Sequence, residues 1–160
     1  MIWKTLYIKI RMSDKNRIET ILALIEFSSV RNNNSFNSIN SEFKEVLRLS
    51  KVTPNTRKNL LRILHSTRGL DTCLRSFLDN HNIRNGSQSL GAFLLNLQNH
   101  QNQNLSNLPQ AARERFQKSI VDIRNQYMHS AGKIANNESE INSLISEMEY
   151  CITTVLNLED

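Results

Sequence analysis

The chain has 160 residues, enough for one domain with a short extension; 39% apolar content supplies one hydrophobic core, and the 22% charged fraction is ordinary for a soluble protein. A formal net charge of +5 permits contact with a polyanion without demanding it, and no block of five or more like charges forms a basic tail. No apolar run is long enough to span a membrane, and Lys4, Lys9 and Arg11 interrupt the stretch where a secretory signal would be cleanly apolar, so the expected setting is the cytoplasm, with no membrane partner.

Four Gly and two Pro are too few to punctuate many strands, so the pattern favours helices. Residues 1–12 alternate Leu6, Ile8, Ile10 and Met12 with other side chains, which fits a short strand or the opening of a helix. Ser13 or Asp14 then caps a helix through Val30, with Ile18, Ile21, Leu22 and Ile25 on one face. The polar residues 31–40 read as a loop, and residues 41–52 as a short helix with Phe43, Val46 and Leu47 inward. Thr53-Pro54 is a start signal, Thr as cap and Pro in the first helical position. From it runs a long helix to about Asn80. Leu60, Leu61, Leu64, Leu70, Cys73, Leu74, Phe77 and Leu78 form its expected buried stripe, and Gly69 is a place for a kink. A turn over 82–87 precedes a helix over 89–100 (Leu90, Phe93, Leu94, Leu97), and a loop rich in Asn and Gln follows over 99–107. Pro109 opens a helix through Phe116, Ile120, Ile123 and Tyr127 that stops near Ala131-Gly132, with Gly132 as its cap. The last helix spans about 138–158, with Ile141, Leu144, Ile145, Met148, Ile152, Val155 and Leu156 on its inner face. The expected architecture is all-α: an N-terminal extension over 1–53 and a helical domain over 54–160. Cys73 and Cys151 fall in apolar periodic segments without a second ligand at metal spacing, and read as reduced core residues.

Glycine-rich phosphate loops, HExxH, CxxC and GxSxG are all absent, and none of the four histidines has a second His at helical ligand spacing. The segment Arg124-Asn125-Gln126-Tyr127-Met128-His129 holds a guanidinium, an amide and an imidazole within six residues. Metal-free RNA cleavage needs these groups. Imidazole titrates near neutrality and can exchange protons with the 2′-hydroxyl and the leaving 5′-oxygen. A guanidinium holds the extra charge of the transition state, and an amide can orient the phosphate. A helix C-terminus at His129 favours the imidazolium form that a leaving group requires. On a regular helix Asn125 and His129 are about 40° apart, and Arg124 and His129 about 140°. Either the helix ends before His129 or a second subunit completes the site. Arg and His at this spacing occur about once by chance in such a chain, and Arg75 with His81 is a second instance; an Asn directly after the Arg lowers that expectation to about 0.1.

With Arg124, Asn125 and His129 in a helix that precedes a last loop and helix, the chain resembles the HEPN superfamily, whose members carry Arg, a polar residue that is often Asn, and a His four to six residues after the Arg. The resemblance covers about Pro54 to Leu158, including the segments GLDTCLRSFL, SLGAFLLNL and CITTVLNL. It implies a HEPN-type helical bundle acting as a homodimer through the motif helices, and a ribonuclease without metal or cofactor that leaves cyclic-phosphate and 5′-hydroxyl ends. It also implies a toxin–antitoxin or anti-phage setting, with an antitoxin or a larger defence complex as partner. In this frame Arg124, Asn125 and His129 are catalytic, while Tyr127, Lys133 and Arg113 are RNA contacts of lower rank. A subgroup paired with a nucleotidyltransferase has Tyr two positions after the His; Ala131 stands here. The competing expectation is a non-catalytic dimerisation module that binds RNA or docks an effector, with Trp3, Leu6, Ile8 and Ile10 available for docking.

Overall fold

The computed structural model describes residues 13–86 and 88–160. The expectations placed on residues 1–12 lie outside these. The fold is all-α, with no strand among the described residues. Among the described residues seven α-helical segments follow in order: α1 (Asp14–Glu26), α2 (Phe36–Arg48), α3 (Asn55–Asn80), α4 (Leu90–Asn99), α5 (Gln110–Phe116), α6 (Ile123–His129) and α7 (Glu138–Leu156). Short 3-10 turns cover Ser29–Asn32, Leu49–Lys51 and Asn157–Glu159, and a π-helical segment, Gln117–Asp122, joins α5 to α6 without a break.

Helix starts follow local chemistry. The side chains of Ser13, Ser89 and Asn137 each accept a hydrogen bond from the backbone N–H three residues on, satisfying a donor the first helical turn leaves open. Pro54 is itself the residue before α3, so the Thr53 cap and the Pro in the first turn are both displaced by one position, and Lys58 N–H donates to the Pro54 carbonyl.

Three boundaries differ from the sequence reading. The first helix ends at Glu26, because the chain turns at Phe27 and tightens into Ser29–Asn32, burying Val30. Half of the expected loop over 31–40 is helix: α2 begins at Phe36, which with Ile39, Phe43 and Val46 forms one buried stripe, while Asn37, Ser38 and Ser41 face solvent. The motif helix stops at His129, and Gly132, at φ +81°, lies in the turn beyond instead of capping it.

Helix α2 packs along α3, and both α1 and α3 pack on α7, so residues from Ile18 to Val46 share one core with Leu70, Phe77, Phe93, Phe116, Ile145 and Ile152. Cys73 and Cys151 are both buried there and unpaired, and burial raises the Cys73 thiol to about 12 and the Cys151 thiol further.

The first half of α3 departs most from its expected stripe. Leu60 is exposed, and Leu61 and Leu64 are half-buried. The buried positions are Asn59, Arg62, Ile63, Ser66 and Thr67. Arg62 is the cause: only 2% exposed, it must find its partners inside. Its Nε and Nη2 donate to the two carboxylate oxygens of Asp14 at 2.7 and 2.9 Å. Nη1 donates to Asn59 Oδ1 at 2.9 Å and Glu138 Oε1 at 2.8 Å, and Nη2 also reaches Asn142 Oδ1 at 2.5 Å. One side chain thus joins the starts of α1 and α7 to α3.

Gly69 does not interrupt α3, which runs as helix past it. It lets α2 approach: a Cβ built there would sit 2.8 Å from two ring carbons of Phe43, itself fully buried. Gly91 does the same for α4, where a Cβ would lie 3.0 Å from Gln117 Oε1 at the start of the π-helical segment.

Two outcomes are expected in urea denaturation. Gly69→Ala forces the Phe43 ring to move and lowers stability by about 1–3 kcal/mol, the usual cost of overpacking, against a helix-propensity gain of up to about 1 kcal/mol. Arg62→Ala strands the Asp14 carboxylate and costs about 3 kcal/mol, the low end of what a broken buried pair loses, because Glu138 is more than half exposed. Unchanged midpoints for both would contradict this packing.

Candidate ribonuclease site

The motif lies on α6, a two-turn helix fixed at both ends. Upstream, the π-helical segment packs against α4 and α7 and turns Ile120 and Val121 into the core, while Gln117 Nε2 donates to Asp122 Oδ1 at 2.9 Å. Arg115 adds a bidentate pair to Glu147 of α7 at 2.8 and 2.6 Å, and its guanidinium lies 4.5 Å from the centre of the Tyr150 ring. Downstream, Asn59 Nδ2 donates to the Ala135 carbonyl at 3.1 Å, tying the loop after His129 to α3.

Tyr127 anchors the helix from within. Its ring is buried, and its hydroxyl donates to the Glu140 carboxylate in the first turn of α7. Lys133 completes the cluster: Nζ is 3.2 Å from the same Glu140 oxygen and 4.7 Å from the centre of the Tyr127 ring. Burial and then the Glu140 carboxylate push the Tyr127 phenol up to about 12. Donation from Tyr127 and then Lys133 holds the Glu140 carboxyl below its usual range, against the opposing effect of burial.

His129, the last residue of α6, is exposed. Arg124 is half-buried; its Nη1 donates to Asn125 Oδ1 at 2.9 Å, and its buried Nε has no partner. The structure therefore brings Arg124 and Asn125 together and leaves guanidinium donors uncommitted. It does not bring Arg124 to His129. Because α6 is regular through His129, the two side chains leave the axis about 140° apart and about 7.5 Å along it.

The other sequence candidates separate. Tyr127 and Lys133 are engaged with Glu140 and with each other. Arg113 lies on α5, eleven residues before Arg124, with Nη2 3.5 Å from Glu114 Oε1 and a buried Nε without a partner. Glu140, Asn59 and Arg62 hold the site's surroundings and were not anticipated. Glu140 had a signal: it stands three residues after the capping Asn137, a spacing typical of helix starts, and its own N–H donates to Asn137 Oδ1 at 3.1 Å. No group of three or more His, Cys, Asp or Glu side chains able to hold a metal occurs among the described residues, and no helix among them is long and apolar enough to cross a membrane.

The chain matches no protein-family model, no curated protein and no solved structure.

The Tyr127–Glu140–Lys133 cluster has a pH signature. Glu140 has a depressed folded pKa, so its contribution is present above its ordinary value of 4.5 and is lost as pH falls below it. Tyr127 has a raised folded pKa, so its contribution is full below 10 and is lost as pH rises from 10 to about 12. Tyr127→Phe should reduce the alkaline loss in a plot of stability against pH, leaving the part due to the buried Cys73 and Cys151 thiols, shrink the acid one, and cost about 1.5–3 kcal/mol near neutrality. An ultraviolet titration in which the Tyr127 phenol ionises near 10 would refute the buried arrangement.

Proposed function

We propose that this chain is a metal-independent endoribonuclease of the HEPN type, acting as a homodimer in a toxin–antitoxin or anti-phage setting. The observation that supports it most is the state of the motif. His129 is exposed at the end of a helix that its neighbours hold in place, and Arg124, backed by Asn125, keeps guanidinium donors uncommitted.

The chemistry assigned to these groups is the transfer of an RNA phosphodiester to its own 2′-oxygen. The 2′-hydroxyl loses its proton and its oxygen bonds to phosphorus. The bond to the 5′-oxygen breaks, and that oxygen takes a proton, leaving a 2′,3′-cyclic phosphate and a 5′-hydroxyl. His129 exchanges the protons. Arg124 stabilises the charge gathering on the non-bridging oxygens. Asn125 orients the guanidinium through its Oδ1 and has its amide nitrogen to offer a phosphate. The divergence of Arg124 and His129 on one helix favours a cleft built from two motif helices across a two-fold axis, each chain supplying what the other's helix turns away.

The test is RNA cleavage in EDTA with analysis of the product ends. Wild type should leave cyclic phosphate, and His129→Ala and Arg124→Ala should each lose about a hundredfold or more in rate with unfolding midpoints unchanged, since neither residue belongs to the core. Cleavage retained by His129→Ala would remove this mechanism.

A further inference from the structure

Asn85 is followed by Gly86, the one place in the chain where Gly succeeds Asn. An Asn side chain can close a ring with the next backbone nitrogen, and a following residue without a Cβ leaves that approach open. Both residues are exposed in the connection between α3 and α4, outside any helix. Gly86 sits at φ +83°, and a Cβ built on it would meet nothing within 4 Å. Its N–H donates to no acceptor among the described residues. The attacking nitrogen is therefore open to approach, and no hydrogen bond has to break before it moves.

The other Asn residues with a small neighbour are held. Ser is the next smallest residue to follow Asn, at Asn34, Asn37, Asn40 and Asn142. At Asn34 the Ser35 N–H donates to Asn33 Oδ1 at 2.9 Å. Asn37 and Asn40 lie in α2 and Asn142 in α7, where the helical ψ turns each following nitrogen away from the side chain. Asn82 shares the connection with Asn85, but it precedes the β-branched Ile83, whose N–H donates to the Leu78 carbonyl at 3.0 Å.

The chemistry balances with water and hydroxide alone. The Gly86 nitrogen gives its proton to hydroxide and bonds to Asn85 Cγ. The bond from Cγ to the side-chain nitrogen breaks, and that nitrogen leaves as ammonia with a proton from water. The five-membered imide then takes up water at either carbonyl. Opening at one restores the normal chain with a carboxylate side chain at 85. Opening at the other leaves isoaspartate, in which the chain runs through Cγ. Neither step draws on Arg124, His129 or any other side chain.

We propose that Asn85 is a site of spontaneous covalent modification, converted through this imide to Asp and isoaspartate in the folded protein ahead of every other Asn. Each event adds a negative charge at the exposed turn between α3 and α4. The proposal is independent of the cleavage assigned to Arg124 and His129.

The purified full chain is held at mildly acidic and mildly alkaline pH, and peptide mapping by mass spectrometry follows every Asn with time. Deamidation at Asn85 should run about tenfold or more faster than at any other Asn, because only there does Gly follow. It should quicken as pH rises, since the nitrogen must lose its proton, and yield both Asp and isoaspartate. Asn85→Gln should leave no product at this position, since Gln would have to close a larger ring, and should keep the unfolding midpoint unchanged. Urea should speed Asn34 and Asn142 markedly and Asn85 little, because only the first two lose a restraint. Deamidation led by another Asn in the folded chain, or an Asn85 that reacts only once urea unfolds it, would overturn the proposal.

Discussion

A guanidinium cannot be dehydrated without partners at its donors, and Arg62 has them only when three distant parts of the chain are in register. Asp14 is 48 residues before it, and Glu138 and Asn142 are 76 and 80 after it. Their convergence sets where α1 and α7 begin against α3. It also explains why the apolar stripe of α3 takes over only from Ile63 onward, with Asn59 buried beside the charge. Below that level the packing changes character: Gly69 admits the Phe43 ring, and Leu70, Cys73, Leu74 and Phe77 close the core with α7.

The same corner of the fold carries the motif loop. Asn59, which accepts from Arg62, donates to the Ala135 carbonyl, so the buried charge and the chain after His129 share one residue. The second tether is Tyr127 on Glu140, reinforced by Lys133. Two ties on either side of an exposed His129 hold the helix end while leaving the imidazole free, the combination that a proton-transferring group needs when its support comes from rigid elements. The π-helical turn upstream, seated against Gly91 on α4, sets the rotational phase in which Arg124 leaves the helix.

Much of the fold was legible because helical burial leaves a period in the sequence. Ile18, Ile21 and Ile25 mark α1, Phe93 and Leu97 mark α4, and the stripe from Ile141 to Leu156 marks α7, while Ser13 marks the start of α1 by its side-chain oxygen. What escaped has physical reasons. The start of α2 was hidden because Asn37, Ser38 and Ser41 look like loop when read without Phe36 and Ile39. The buried half of α3 was hidden because a periodicity reading puts leucines inward and cannot foresee that Arg62 meets carboxylates from two other helices. The π-helical segment has no local signature that a periodicity reading could use. At the site, Arg124, Asn125 and His129 were visible as residue types at a spacing, whereas the sequence marks Glu140 only as a helix-start residue, and its hold on Tyr127 and Lys133 from a different helix is visible only in three dimensions.

The regular helix through His129 leaves a definite consequence, since Arg124 and His129 of one chain diverge. Mixing Arg124→Ala and His129→Ala proteins, each inactive alone, under conditions that exchange subunits measures it directly. If one chain supplies the guanidinium and its partner the imidazole, the mixture regains RNA cleavage to about a quarter of the wild-type level, because half of the dimers are mixed and each holds one complete site of two. A mixture as inactive as its components, beside an active wild type, would mean that each site is built within a single chain and would contradict the two-fold cleft.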